Sequence, residues 1–346
     1  MMTSLERFNA ALAFRPVDRA PADLHNFMMC AAVSGLPFDR FVLDPQAMAR
    51  TQIQLHEEFR QDVLLVENGT ASLAQAMGCR VDFRSDDPPV VTGPAIRSLD
   101  ELEKLSVSEE LLEAPLLKAN LETVRILREH FGDRVVIMGR GDQGPFSLAS
   151  QILGMEEMLM ALADDEEEEA IHRLLDICTR AGALCCKAML DAGAHCTSIG
   201  DSTAGPDVIS PAMYERFAFP YEKALIDLVH RHGGRIALHI CGNATRIIPK
   251  MVETGADILE LDQKTDLKKA FPLIRNRAVV LGQISPITLM NGDTQEVERE
   301  TQEMLQTIGG AQASGVILGP GCALGGTTPY ANVHAMLQTV QKGEDC

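Results

Sequence analysis

His239 and Cys241 stand two apart in the run Leu238-His239-Ile240-Cys241-Gly242. An extended backbone sends alternate side chains to one face, so the imidazole and the thiol leave together. A nitrogen and a sulfur side by side are two ready ligands for a borderline-soft metal, zinc first among them. A third candidate, Cys322, lies in Gly319-Pro320-Gly321-Cys322-Ala323. Both stretches read alike, as an apolar run giving out into a glycine-rich loop. A His-x-Cys pair alone is a weak signal, and a core histidine beside a buried thiol is the plain alternative. The shared context strengthens it, because barrel enzymes keep their chemistry where strands give out into loops.

Three protein ligands with a fourth position open form the catalytic zinc pattern, whereas four protein ligands are structural. A His-Cys-Cys set brings two negative charges, which cancel those of the ion. Such a zinc is a weak Lewis acid, poorly matched to making hydroxide and better matched to holding a thiolate. A thiol in the open position loses its proton yet stays nucleophilic. That chemistry is alkyl transfer.

The elements that must position these residues show as an alternation. Strand-like apolar runs fall near residues 22, 63, 135, 195, 235, 257, 278 and 315, with helical stretches between them. Helices are predicted over residues 3–14, 45–59, 111–131, 152–162, 170–192, 211–232 and 293–308, the sixth kinked at Pro220. The third strand is predicted to stop at Gly139, with residues 140–145 as its closing loop. Alternating strand and helix means a parallel sheet, and eight units predict a (β/α)8 TIM barrel of the α/β class over an open sheet. No Gly-x-Gly-x-x-Gly opens the first unit, which argues against a dinucleotide fold. The first helix reads as an N-terminal helical extension, and residues 78–94 as a small hairpin excursion. No linker breaks the pattern, so residues 1–346 are expected to form a single domain. The acidic run at 164–169 reads as the start of a helix, not as a site.

In a barrel the C-terminal strand ends share one mouth. That rule gathers Glu67 and Asn68, Asp142 and Gln143, Asp201 and Ser202, Glu260 and Asp262, and Gln283 around His239, Cys241 and Cys322. Asp201 and Glu67 are the catalytic candidates. Asp201 can act as a base, orient the His239 ring or cap the following helix or turn. Glu67 can line the pocket or pair with Arg140. Gln143, Gln283 and Asn68 are the substrate-binding candidates; the glutamines can instead satisfy loop amides. Cys185-Cys186 reads as helix packing.

Hydrophobic residues make up 46% of the chain, charged residues 23%, and the formal net charge is -18. That charge argues against nucleic acid and against an anionic membrane as partners. No signal pattern opens the sequence, and no apolar stretch approaches the ~20 residues of a membrane span. Nine scattered cysteines, Cys346 last, point to a reducing, cytoplasmic setting.

Further runs fit the same picture: Gly144-Pro145-Phe146-Ser147-Leu148-Ala149, Gly200-Asp201-Ser202-Thr203-Ala204-Gly205-Pro206, Ser210-Pro211, Phe219-Pro220-Tyr221 and Thr328-Pro329-Tyr330-Ala331-Asn332-Val333. With His239-Ile240-Cys241-Gly242-Asn243 and the Cys322 loop, they span nearly the whole chain. In these motifs and their order the chain resembles the uroporphyrinogen decarboxylase superfamily, and within it the zinc-dependent, corrinoid-linked methyltransferase branch. Methylcobalamin:coenzyme M methyltransferases belong to that branch. The resemblance implies a barrel that receives a methylcobalamin-bearing corrinoid protein at its mouth. It implies His239, Cys241 and Cys322 as zinc ligands, and a small methyl acceptor or donor such as the thiol coenzyme M. Two other readings stand beside it. One is a metal-free tetrapyrrole decarboxylase, whose arginine-rich N-terminal segment is not evident around residues 14–36. The other is a non-catalytic accessory subunit that holds zinc or the corrinoid protein without turnover.

Overall fold

The computed structural model describes residues 2–341; Met1 and residues 342–346, Cys346 among them, lie outside the described residues. Seven apolar runs form the strands of one sheet: β1 Val63–Val66, β4 Val136–Gln143, β5 Cys196–Gly200, β6 Ile236–Ile240, β7 Ile258–Leu261, β8 Val279–Ile284 and β9 Val316–Pro320. Between the first two, β2 Arg80–Asp82 and β3 Val90–Gly93 pair antiparallel as the expected hairpin. The seven run in the order β1-β4-β5-β6-β7-β8-β9, every neighbouring pair parallel. Each is buried along its whole length, as a sheet covered on both faces must be.

The eighth stave is short. Ala22 bridges Leu318 of β9 and Asp23 bridges Val63 of β1, both parallel, and these two bridges close the sheet into a barrel. Pro21 precedes the stave and His25, in a left-handed conformation (φ 45°), ends it, which explains its brevity. The N-terminal helix Ser4–Leu12 starts on a Thr3/Glu6 capping box. Its Phe8 packs against Leu65, Met138, Cys196, Val279 and Ile317 inside the barrel, opposite the mouth. Arg7 beside it is buried against Asp18 (2.7 Å) and Asp62 (2.6 Å).

Three expectations are corrected. The third barrel strand runs on to Gln143, because Arg140 pairs with Glu67 inside the barrel and Asp142 accepts from Leu73 N of the helix Ser72–Ala76; polar residues hid a buried strand. A register shift between Arg140 and Gln143, with Asp142 at φ 76°, marks a bulge there. The expected loop over 140–145 shrinks to Gly144, because Pro145, at the first helical position, opens a helix Pro145–Leu153 that the sequence reading does not contain. The helix predicted over 152–162 accordingly starts only at Met155, after Gly154 (φ 99°). The kink at Pro220 takes the form of a π-turn, Tyr214–Ala218, followed by Phe219–Arg231. No helix among the described residues is long and apolar enough to cross a membrane.

Candidate metal centre

β6 delivers His239 to the mouth with 2% of its surface exposed, and the turn after it brings Cys241 back beside the ring, Sγ 3.2 Å from Nε2. The turn needs glycine at 242, where φ is +83° and a side chain would strike the Asp207 carboxylate. Asp262 pins it by accepting from Gly242 N (2.8 Å). Cys322 arrives on the loop after β9. Gly321 N donates to Ile284 O (2.8 Å), and a Cβ on Gly321 would lie 2.5 Å from Gln263 N, so that loop lies flush on the one following β7. The result is one nitrogen and two sulfurs within 4.8 Å of one another. Among the described residues no other three His, Cys, Asp or Glu side chains are close enough to share an ion.

The chemistry of this donor set fits a thiophilic cation. His239 Nδ1 faces the Glu260 carbonyl oxygen at 3.1 Å. A carbonyl can only accept, so Nδ1 carries the hydrogen and Nε2 is left to bind. Burial opposes charge on the ring, but Glu260 and Cys241 outweigh it and raise its pKa; the site favours a positive charge at this spot. The Cys322 thiol donates toward Cys241 and, with His239 and Ser202, holds Cys241 as a thiolate against burial. Cys322 is pushed up in turn, so the two sulfurs share a proton that a bound cation would displace.

Behind the donors lies a charged network that no single motif announces. His25 Nδ1 is 2.9 Å from Glu260 and its Nε2 3.1 Å from Glu67. Arg140 Nε donates to Glu67 (3.0 Å), its guanidinium also reaching Ser198 Oγ (3.2 Å) and Glu260 (3.7 Å). All four are at most 7% exposed. Although burial works against it, the two carboxylates push the His25 pKa up to about 10. Burial likewise opposes charge on Glu260, yet His239 and His25 hold its carboxyl far below the usual range. The network is neutral as a unit, two cations against two anions. Arg140 was expected as Glu67's partner; His25 was not singled out, though it too ends a stave, and that position was its signal.

The remaining candidates fall into place as follows. Asp201 accepts from Phe146 N (3.2 Å) and Ser147 N (2.7 Å), so it caps the helix Pro145–Leu153, which precedes it in the chain, and not the following helix or turn that was expected. Gly144 makes room for it, since a Cβ there would lie 2.6 Å from the Asp201 side chain. Asn68, expected at the substrate, is engaged elsewhere: it donates to Val42 O and Leu116 O and accepts from Ser72 and Asn120. Gln283 donates to Asp262 O (3.0 Å) and Thr265 O (2.8 Å), the loop-satisfying alternative. Asp142 accepts from Leu73 N, and burial pushes it up to about 7. Gln143 is 4% exposed and lines a cavity between the hairpin and the helix Pro145–Leu153. Cys185 and Cys186 are buried in the helix Glu168–Asp191, as packing residues are.

The family described as uroporphyrinogen decarboxylase (URO-D) matches residues 3–343. Methylcobamide:CoM methyltransferase MtbA of Methanosarcina acetivorans is 30% identical over 345 residues, covering 97% of each chain. A uroporphyrinogen decarboxylase of Geotalea daltonii is 27% identical, covering 97% of this chain and 98% of its own. A solved methyltransferase from Methanosarcina mazei superposes with a TM-score of 0.89 at 28% identity, covering 99% of both chains.

Proposed function

This chain belongs to the uroporphyrinogen decarboxylase family, and from that premise we propose that it is a zinc-dependent methyltransferase, moving a methyl group between the corrinoid of a partner protein and a small thiol. The observation that carries the reading is the convergence of His239, Cys241 and Cys322 within 4.8 Å of one another. These three would hold the ion. Bound there, zinc would supply a Lewis acid that lowers the pKa of an incoming thiol, while two thiolate ligands keep that sulfur electron-rich. Loss of carbon dioxide has no need of a thiophilic centre, so the donor set supports transfer over the decarboxylation that other family names describe.

The chain's own residues do the positioning. Glu260, through its carbonyl, fixes the His239 ring, and His25 and Arg140 fix Glu260. Ser202 steadies the Cys241 sulfur as an anion. Asp201, capping the neighbouring helix, holds the loop that carries Ser202. Transfer conserves charge and electrons: the thiol proton passes to water, the sulfur takes the methyl group from cobalt, and the pair of the broken bond stays on cobalt. The reverse direction runs the same bonds backward. Val208, on the loop after β5, and Ile287, in the short helix Pro286–Asn291 after β8, are exposed apolar residues of the mouth side (42% and 64%) and support docking of a partner there. The eight described cysteines are all free thiols, which supports a reducing cytoplasmic setting.

Metal analysis of protein purified without chelator tests the reading. One zinc per chain, lost in Cys241→Ala and in Cys322→Ala, is the expected result, and protein free of zinc overturns it. Demethylation of free methylcobalamin by added thiols separates an enzyme from an accessory subunit. No demethylation by zinc-loaded protein would favour the accessory role.

A further inference from the structure

The hairpin of β2 and β3 leans over the helix Pro145–Leu153, and a partly open cavity of about 470 Å³ lies between them. Its base is fixed, since Ala95 N and Ile96 N both donate to Ile152 O. One wall is the apolar edge of the hairpin with Met155. The others are uncharged and polar: Thr70, Gln143, Ser147, Ser150, Gln151 and Ser202. Ser202 joins the cavity to the metal centre, because Asp201 N beside it donates to His239 O (2.8 Å) on the neighbouring strand. Gln143 is 4% exposed, and among the described residues its carboxamide has no hydrogen-bond partner, so it is free to donate to or accept from a ligand.

What the cavity lacks is charge. None of its lining residues is acidic, basic or aromatic. A sulfonate or carboxylate needs a cation or a free helix N-terminus, and an ammonium needs an anion or an aromatic cage. The helix N-terminus beneath the cavity is already taken, its Phe146 and Ser147 amides bound to the Asp201 carboxylate. Arg80, the cation beside the hairpin, donates to Thr92 O (2.9 Å) and does not line the cavity. A charge entering this space would find no counter-charge in its lining.

We propose that this cavity is the small-molecule subsite, and that its ligand is an uncharged thiol, or the methyl thioether made from it, recognised through a hydroxyl by Gln143 and its serine and threonine neighbours. The proposal rests on the methyltransferase reading above and narrows it. It sets coenzyme M, a sulfonate, outside the preferred class.

Three thiols with the same two-carbon arm separate the possibilities: 2-mercaptoethanol, 2-mercaptoethanesulfonate and 2-aminoethanethiol. With zinc-loaded protein and free methylcobalamin, kcat/KM for the neutral thiol should exceed that for either charged one at least tenfold. Thr92→Lys, an exposed change on the hairpin that places an ammonium at the cavity wall, should bring the sulfonate within threefold of the neutral thiol. Calorimetry with the thioethers 2-(methylthio)ethanol and 2-(methylthio)ethanesulfonate reads the subsite without turnover, and the neutral one should bind at least tenfold tighter. Equal binding, or tighter binding of the sulfonate, overturns the proposal. The neutral preference in binding with no turnover on any thiol upholds the subsite and faults the transfer reading instead.

Discussion

His25 carries more of the site than its place at the end of a two-residue stave suggests. It is the cation that both Glu67 and Glu260 face, and Glu260 in turn holds the His239 ring. Removing one partner from a buried ion network leaves an uncompensated charge, typically a loss of ~3–5 kcal/mol. His25→Ala should therefore lower the unfolding free energy by about that much in urea titrations. A loss under ~1 kcal/mol would mean that Arg140 alone balances both carboxylates. The sign of the pH dependence follows from the raised pKa. Unfolded, the imidazole titrates near its ordinary value of ~6.5; folded, it is pushed up to about 10. Its stabilising contribution is complete below the unfolded value, declines as pH rises between the two, and is gone above the folded one. Stability measured from pH 6 to pH 10 should therefore fall more steeply in the native chain than in His25→Ala.

At the scale of elements, two glycine turns set the distance between the donors. Gly321 lies so close to Gln263 N that one added methyl group must push the Cys322 loop away from the other ligands. Gly321→Ala should leave the circular dichroism of the barrel intact yet lower zinc affinity by about 10–100-fold, the scale of lost outer-shell support. Unchanged affinity in a competition titration would show the loop to be compliant. Asp201→Ala removes the cap of the helix Pro145–Leu153 and should cost about 1–2 kcal/mol of stability. These same elements mark where the sequence was hard to read. His239, Cys241 and Cys322 were legible because apolar strands ending in glycine loops leave a clear pattern. β4 was cut short because Arg140 and Asp142 interrupt its apolar run, their partners lying far away in the chain. The helix from Pro145 was missed because Gly-Pro signals a turn as readily as a helix start. Asn68 and Gln283 stand at strand ends as substrate residues do, and only the tertiary hydrogen bonds reveal that they serve the scaffold.

The whole molecule is a barrel closed at its shortest stave by two backbone bridges and plugged opposite the mouth by one helix. The eightfold rhythm was legible because each βα unit repeats the same apolar signal. Of the charged interior only the Glu67–Arg140 pair was legible, since the network is assembled from four separate units of the chain. At the plugged end, Arg7 holds the Asp18 carboxyl well below the usual carboxylate range. Asp18 therefore stabilises the fold above ~pH 4 and loses that contribution as pH falls toward its folded value. Asp18→Asn should flatten the acid limb of the stability profile without moving the metal centre. A net charge of -18 also predicts self-repulsion, so added salt should raise Tm.

The central claim is that three side chains from two distant strand ends grip one thiophilic ion and leave room for a substrate sulfur. X-ray absorption at the zinc edge of the purified protein tests it most directly. The account predicts two sulfurs at ~2.3 Å and one nitrogen at ~2.0–2.1 Å, and a third sulfur when a thiol is added. A shell of oxygen and nitrogen alone, or one closed by four protein ligands and unmoved by thiol, would contradict it.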